Sequence, residues 1–195
     1  RRPNKPAEEF EPEELFAVTS LGADNPPPCF RSGFVVDSQI QVQDINGSHA
    51  RYVFDRLRGN LSFLMTQDPA EEENGGGGLY AQDQMEGIGS GSSTVAPANM
   101  SWMWRRAPGF FDVVTYTGDS VTGRDVPHNL GVMPEMVIHK HRDKTNRWTV
   151  WHNQVSRSGK DWWEYGGNLN ESYPFDDKNN QQSAPTSSTW PVESG

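Results

Sequence analysis

Cysteine is almost missing from this chain. Cys29 is the single one among 195 residues, so neither an intramolecular disulfide nor a cysteine metal cluster can form. Long apolar runs are also missing, which excludes a membrane-spanning helix, and no signal-peptide pattern is present. Positive charge is scarce: 17 Lys and Arg face 26 Asp and Glu, for a net charge of -9. Nucleic acid is therefore not an expected partner, because phosphate binding needs a basic face. No segment shows sustained helical periodicity. Only 33% of the chain is hydrophobic, and mean hydropathy is -0.78. That is lean for a self-sufficient globule.

Aromatic residues, by contrast, are plentiful. Seven Trp and nine Phe argue against simple disorder, since disordered chains are poor in them. Glycine (19) and proline (14) punctuate short runs of alternating apolar and polar residues. That pattern predicts an all-β protein with long loops. Strands are expected at Leu15–Thr19, Phe34–Val36, Ile40–Gln43, Arg51–Phe54, Leu61–Met65 and Asn99–Trp104. Others are expected at Phe111–Tyr116, Met136–His141 and Trp148–Trp151, with a strand or aromatic loop at Lys160–Tyr165. Asn46-Gly47 suits a hairpin turn with positive φ, joining antiparallel strands near 38–45 and 50–56. Gly75 to Gly78 follow Glu71-Glu-Glu73 and lack a following Lys-Ser/Thr, so they read as a surface loop and not a phosphate cradle.

A weak internal repeat runs through the chain. Gly33 aligns with Gly131 and Ile40 with Ile138, an offset of 98. Tyr52-Val-Phe54 lies near the position of Trp148–Trp151, and Phe16-Ala-Val-Thr-Ser near that of Phe111-Asp-Val-Val-Thr. The expected organisation is an arm or linker at 1–14 followed by two tandem β-sandwich-like units of jelly-roll or lectin-like type. The first unit is placed at 15–104 and the second at 105–195. The first closes with Asn99–Trp104, and the second has no equivalent. The expectation is a chain that is a fragment, or one whose partner supplies the missing strand by edge pairing.

Two residue groups stand out as candidate sites. His139 and His141 are two apart, so on a strand they share a face and offer the start of a metal site, with His128 and His152 as further ligands. Trp162, Trp163 and Tyr165 form an aromatic cluster suited to stacking on sugar faces, with core packing as the competing role; Trp148 is assigned to a core or intersubunit contact. Spacing nominates no catalytic residue, neither a carboxylate pair nor a Ser-His-Asp or Cys-His set, and no cofactor is expected.

The stretch Trp102-Met-Trp-Arg-Arg-Ala-Pro-Gly-Phe-Phe-Asp-Val-Val-Thr-Tyr-Thr-Gly118 resembles a recurrent segment of tailed-phage virion proteins. The resemblance is notably to tail-fibre-like proteins of marine and cyanobacterial phages. Val126-Pro-His-Asn-Leu-Gly-Val-Met-Pro-Glu-Met-Val-Ile138 resembles the same family, as do Trp148-Thr-Val-Trp-His152 and Ser183-Ala-Pro-Thr-Ser-Ser-Thr189. His139-Lys-His-Arg142 stands where that family commonly has Lys-Asn-Arg. The resemblance covers about residues 99–195 and implies a non-enzymatic structural protein of the virion, part of a tail fibre or spike. It also implies other virion proteins as partners, a homotrimeric assembly and host-surface contact. Alternatives are a glycan-binding receptor-recognition module, a capsid-attached fibre or decoration protein, and a polysaccharide depolymerase.

Overall fold

The computed structural model describes residues 10–20, 30–45, 48–59, 62–74, 85–88, 100–121, 123–155, 159–172, 175–177 and 183–192. Cys29, Pro26–Pro28, the Asn46-Gly47 turn itself, Leu79-Tyr80 and most of the 1–14 arm lie outside them.

The protein is all-β. In chain order the strands are β1 (Phe16–Ser20), β2 (Phe30–Arg31), β3 (Ser38–Ile45), β4 (Ser48–Asp55), β5 (Ser62–Met65), β6 (Glu73–Asn74), β7 (Gly87–Ile88) and β8 (Met100–Trp104). They continue as β9 (Arg124–Pro127), β10 (Met136–His139), β11 (Thr149–His152), β12 (Tyr165–Asn168), β13 (Asp176–Asp177) and β14 (Thr189–Val192). Two single 3-10 turns, Pro12–Glu14 and Trp162–Glu164, are the helical segments among the described residues.

A six-stranded sheet runs β1-β8-β3-β4-β5-β6, and a two-stranded sheet pairs β2 with β7. Alternation decides which side chains meet between them. Met103 of β8 and Phe54 and Phe63 of β4 and β5 point inward, against Phe30 and Ile88 of the small sheet, with Phe34 and Val36 filling the space. Farther along the chain the arrangement recurs. A four-stranded sheet runs β10-β11-β12-β13, and β9 pairs with β14. Trp151 of the larger sheet and Trp162 pack against Val126, Trp190 and Val192 of the smaller one. Each core is thus the filling between a two-stranded ribbon and a larger sheet, a sandwich-like arrangement.

The offset of 98 reappears in β3 and β10, and their pairing partners are offset by 97. Ile40 lies opposite Val53, and Ile138 lies opposite Val150. The Arg56 N–H donates to the Asp37 carbonyl at 2.8 Å, and the Asn153 N–H donates to the Glu135 carbonyl at the same distance. Gly33 and Gly131, five residues before β3 and β10, have φ of 79° and 71°, a left-handed turn that only glycine enters at no cost. The small ribbons agree too. Phe30 pairs with Ile88, and His128, extending the β9–β14 ladder, donates its N–H to the Ser188 carbonyl.

The expected hairpin is present, with β3 and β4 antiparallel and Ile45 opposite Ser48. Four expectations need correction. Phe111–Tyr116 is not a strand beyond one bridge from Phe111 to Ala107. The Asp112 carboxylate accepts the N–H groups of Val113 and Asn129, and such local side-chain bonds compete with ladder formation. The proposed alignment of Phe16–Ser20 with this stretch therefore has no counterpart in the fold. Phe34–Val36 also lacks ladder pairing: the Ser32 hydroxyl caps the Phe34 N–H, and the chain drops Phe34 and Val36 into the core. Lys160–Tyr165 folds mainly as a 3-10 turn, Trp162–Glu164, with reciprocal Asp161 and Glu164 capping. Gly166 and Gly167 are buried inside β12. A Cβ on Gly167 would stand 2.8 Å from the Phe175 ring, so the missing side chain makes room for that aromatic.

Candidate functional site

Three places concentrate chemistry, and the first joins the two halves of the chain. Glu72 follows β5 and sits where two arginines converge. Arg142 Nε and Nη2 donate to its two carboxylate oxygens, both at 2.9 Å, in the planar fork geometry that suits a guanidinium. Arg58, whose side chain is 2% exposed, reaches the same carboxylate at 3.3 Å, ion-pairs with Asp55 and donates to the Val53 carbonyl at 2.9 Å. Burial alone would raise the Glu72 carboxyl; the Arg142 hydrogen bonds and the Arg58 charge outweigh it and hold it below the ordinary glutamate range. Backbone bonds stitch the same seam, from Glu72 N–H to the Arg142 carbonyl at 2.7 Å and from Asn146 N–H to the Pro69 carbonyl at 2.8 Å. Trp148 completes it: its ring is buried, and its indole N–H donates to the Met65 carbonyl at 2.7 Å and the Asp68 carbonyl at 3.2 Å.

The chain is locally basic at His139–Arg147 and at Arg105-Arg106, yet in the first of these stretches the charge of Arg142 is matched by Glu72. Arg106, in the other basic stretch, pairs with Asp37 at 3.3 Å. Removing Glu72 should therefore unbalance a nearly buried cation. Glu72→Ala is expected to lower unfolding free energy by about 2 to 3 kcal/mol, with most of the loss from Arg58 and little from the exposed Arg142. Urea denaturation reads this directly, and a loss below about 0.5 kcal/mol would mean the pairing is incidental.

The second place is the histidine pair. His139 and His141 do approach each other, with ring centroids 5.3 Å apart. His139 Nε2, however, is engaged at 2.7 Å by the Tyr116 hydroxyl, whose ring stacks on the imidazole at 5.9 Å. Burial, then the positive charges of His141 and Lys140, push the His139 pKa down to about 4. His152 pairs with Met136 at the opposite end of the β10–β11 hairpin from His139. No group of three His, Cys, Asp or Glu suited to a metal ion occurs among the described residues.

The third place is the aromatic cluster, which the structure divides. Trp162 is a core residue, packed on Trp190 at 5.8 Å and on Trp163 at 5.9 Å, so it is not available as an exposed platform. Trp163 is partly buried against the same core, and Tyr165 lies beside Phe175 at 6.3 Å. Sequence alternation could not separate Trp162 from its neighbour, because a 3-10 turn places residues by a period of three.

Sequence reasoning missed a larger feature. The outward face of the six-stranded sheet is apolar. Phe16, Val18 and Met100 are exposed, and Ile40, Trp102 and Trp104 on the same face are only partly covered. Phe16 packs on Trp104 at 5.3 Å, and Phe111 stacks on Trp104 at 5.9 Å. An open recess of about 490 Å³ lies here, lined by Pro12, Glu13, Phe16, Trp104 and Phe110. The signal was present in the sequence: Trp102 and Trp104 alternate with Met103, and two aromatics on one side with a fully buried Met on the other require one face to be apolar and outward.

Among the described residues no helix is long and apolar enough to cross a membrane. No curated protein matches the chain, and no solved structure matches it. Residues 105–195, beginning directly after β8, are similar to a family described as a domain of unknown function, DUF7483.

Proposed function

We propose that this chain is a non-enzymatic structural protein of a tailed-phage virion, a segment of a tail fibre or spike located on the particle, with host-surface contact as a further role. The observation that carries the reading is the junction. Trp148, Glu72 and their backbone bonds join two parts of the chain that repeat one pairing order, which supports a rigid tandem element suited to bearing load. The motif resemblance over about residues 99–195 supplies the virion context. The apolar outward face bearing Phe16, Val18, Met100, Trp102 and Trp104 supports assembly with other virion proteins, because contiguous exposed apolar surface marks interaction sites. In this reading the chain assembles as a homotrimer, the closed symmetry by which identical chains bury a repeated patch.

Light scattering at near-neutral pH should give three times the chain mass of 21.9 kDa. Antibody raised against the purified chain should label tails or spikes of the particles that carry it. A folded monomer that binds no isolated virion component, together with particles free of label, would end this proposal.

A further inference from the structure

The strand β10 ends its sheet on one side, and the first half of the chain shows what covers the equivalent edge. There β3 is paired on both sides, with β4 and with β8. In the second half β10 pairs with β11, and no other described strand joins it. The correspondence is set by the Asp37–Arg56 and Glu135–Asn153 backbone bonds, which also fix the direction of the remaining groups. In an antiparallel ladder alternate residues turn both N–H and C=O toward the same neighbour. Glu135, Val137 and His139 therefore face β11, and the N–H and C=O groups of Met136 and Ile138 face the open side. Their counterparts Ser38 and Ile40 face Trp104 and Trp102 of β8.

The side chains agree with an edge that no described strand covers. Met136 is 49% exposed and Ile138 43%, and Val132 and Met133 just before them are 49% and 46% exposed. Natural edge strands are usually blunted by an inward charge, a proline or a bulge. Between Met136 and His139 there is none, and Glu135 and Lys140 stand only at the two ends. The strands β1 and β6 also end their sheet, but neither has a paired counterpart elsewhere in the chain to indicate an occupant.

We infer that β10 is an acceptor edge for an extended strand of a partner protein other than this chain, one that runs antiparallel to it and carries large apolar side chains at alternate positions, as β8 does. The register follows from β8 on β3, where Trp104 lies opposite Ser38, Met103 opposite Gln39 and Trp102 opposite Ile40. The incoming strand thus sets large outward side chains beside Met136 and Ile138 and an apolar inward one beside Val137. Main-chain bonds give the affinity and the alternate side chains the selectivity. The inference stands independently of the virion reading, since it rests on the strand pairing alone.

The test uses the full chain and a synthetic peptide with the sequence of residues 99–105. Fluorescence anisotropy should show saturable binding. Hydrogen exchange should slow at least about tenfold at the Met136 and Ile138 amides on peptide addition, with little change at Val137 and His139, which already bond to β11. Ile138→Lys, an exposed substitution, should abolish binding while leaving the fold intact by circular dichroism. The same peptide N-methylated at alternate residues should not bind. Absence of binding, binding without protection of those two amides, or binding that Ile138→Lys leaves unchanged would overturn the inference. So would concentration-dependent protection of both amides without peptide, which would assign the edge to a second copy of the chain.

Discussion

Trp148→Ala is expected to cost about 3 to 5 kcal/mol of unfolding free energy, the range for deleting a buried large aromatic. The indole fills the seam between the two halves of the chain and donates to carbonyls from the β5 end and the turn after it, at Met65 and Asp68. Removing it opens a cavity and leaves the shorter of those bonds unmade inside a part-buried contact. Trp148→Phe separates the two effects. It keeps most of the packing and loses the donor, and should cost about 1 to 2 kcal/mol. Urea denaturation of both variants provides the measurement. If Trp148→Ala falls within 1 kcal/mol of the parent, the seam is a loose contact and the rigid tandem reading loses its main support.

The sequence assignment of Trp148 to a core or intersubunit contact therefore found the right environment, though the contact lies between two parts of one chain. Strands with strict alternation were legible. The β3–β4 hairpin, β8, β10 and β11 all follow period two with β-branched or aromatic residues, and an Asn-Gly pair marks the hairpin. The two-stranded ribbons were not. Gly87-Ile88 sits among Gly and Ser, and Thr189-Trp-Pro-Val192 carries a proline, so neither shows a local strand signal. Both form because Ile88, Trp190 and Val192 cap a core assembled from distant strands, and burial at that range outweighs local propensity. The repeat was legible where backbone geometry demands a residue type, at Gly33 and Gly131. It misled at Phe111, where a single Asp112 side chain redirects the backbone. Ion pairs such as Arg142 with Glu72 span 70 residues and leave no trace in local charge patterns.

His139 should make the protein lose stability as pH falls through a range where most carboxylates are still ionised. In the folded chain burial, then the positive charges of His141 and Lys140, disfavour the imidazolium, so that its pKa lies at about 4, and the Tyr116 hydroxyl lies 2.7 Å from Nε2. Unfolded, it titrates near the ordinary histidine value of about 6.5. Between those two values the unfolded chain binds a proton that the folded chain does not, so stability rises with pH there. The contribution is fully present above about pH 6.5 and declines as pH falls through that value toward the folded pKa. Over the whole window it amounts to about 3 kcal/mol, and about 2 kcal/mol of that should be lost between pH 6.5 and 5. Glu72 acts in the same direction, but its depressed carboxyl takes effect only at and below the ordinary glutamate range, so the upper part of the window isolates the histidine. His139→Gln places an amide near Nε2 without a titrating group and should flatten the pH 5 to 6.5 slope by that amount while keeping the neutral-pH fold. Urea midpoints at half-unit pH steps test the slope, and NMR of the ring protons tests its source. A His139 ring that titrates near 6.5 in the folded protein, or an unchanged slope in the variant, would show that burial and the neighbouring positive charges do not hold the imidazole neutral.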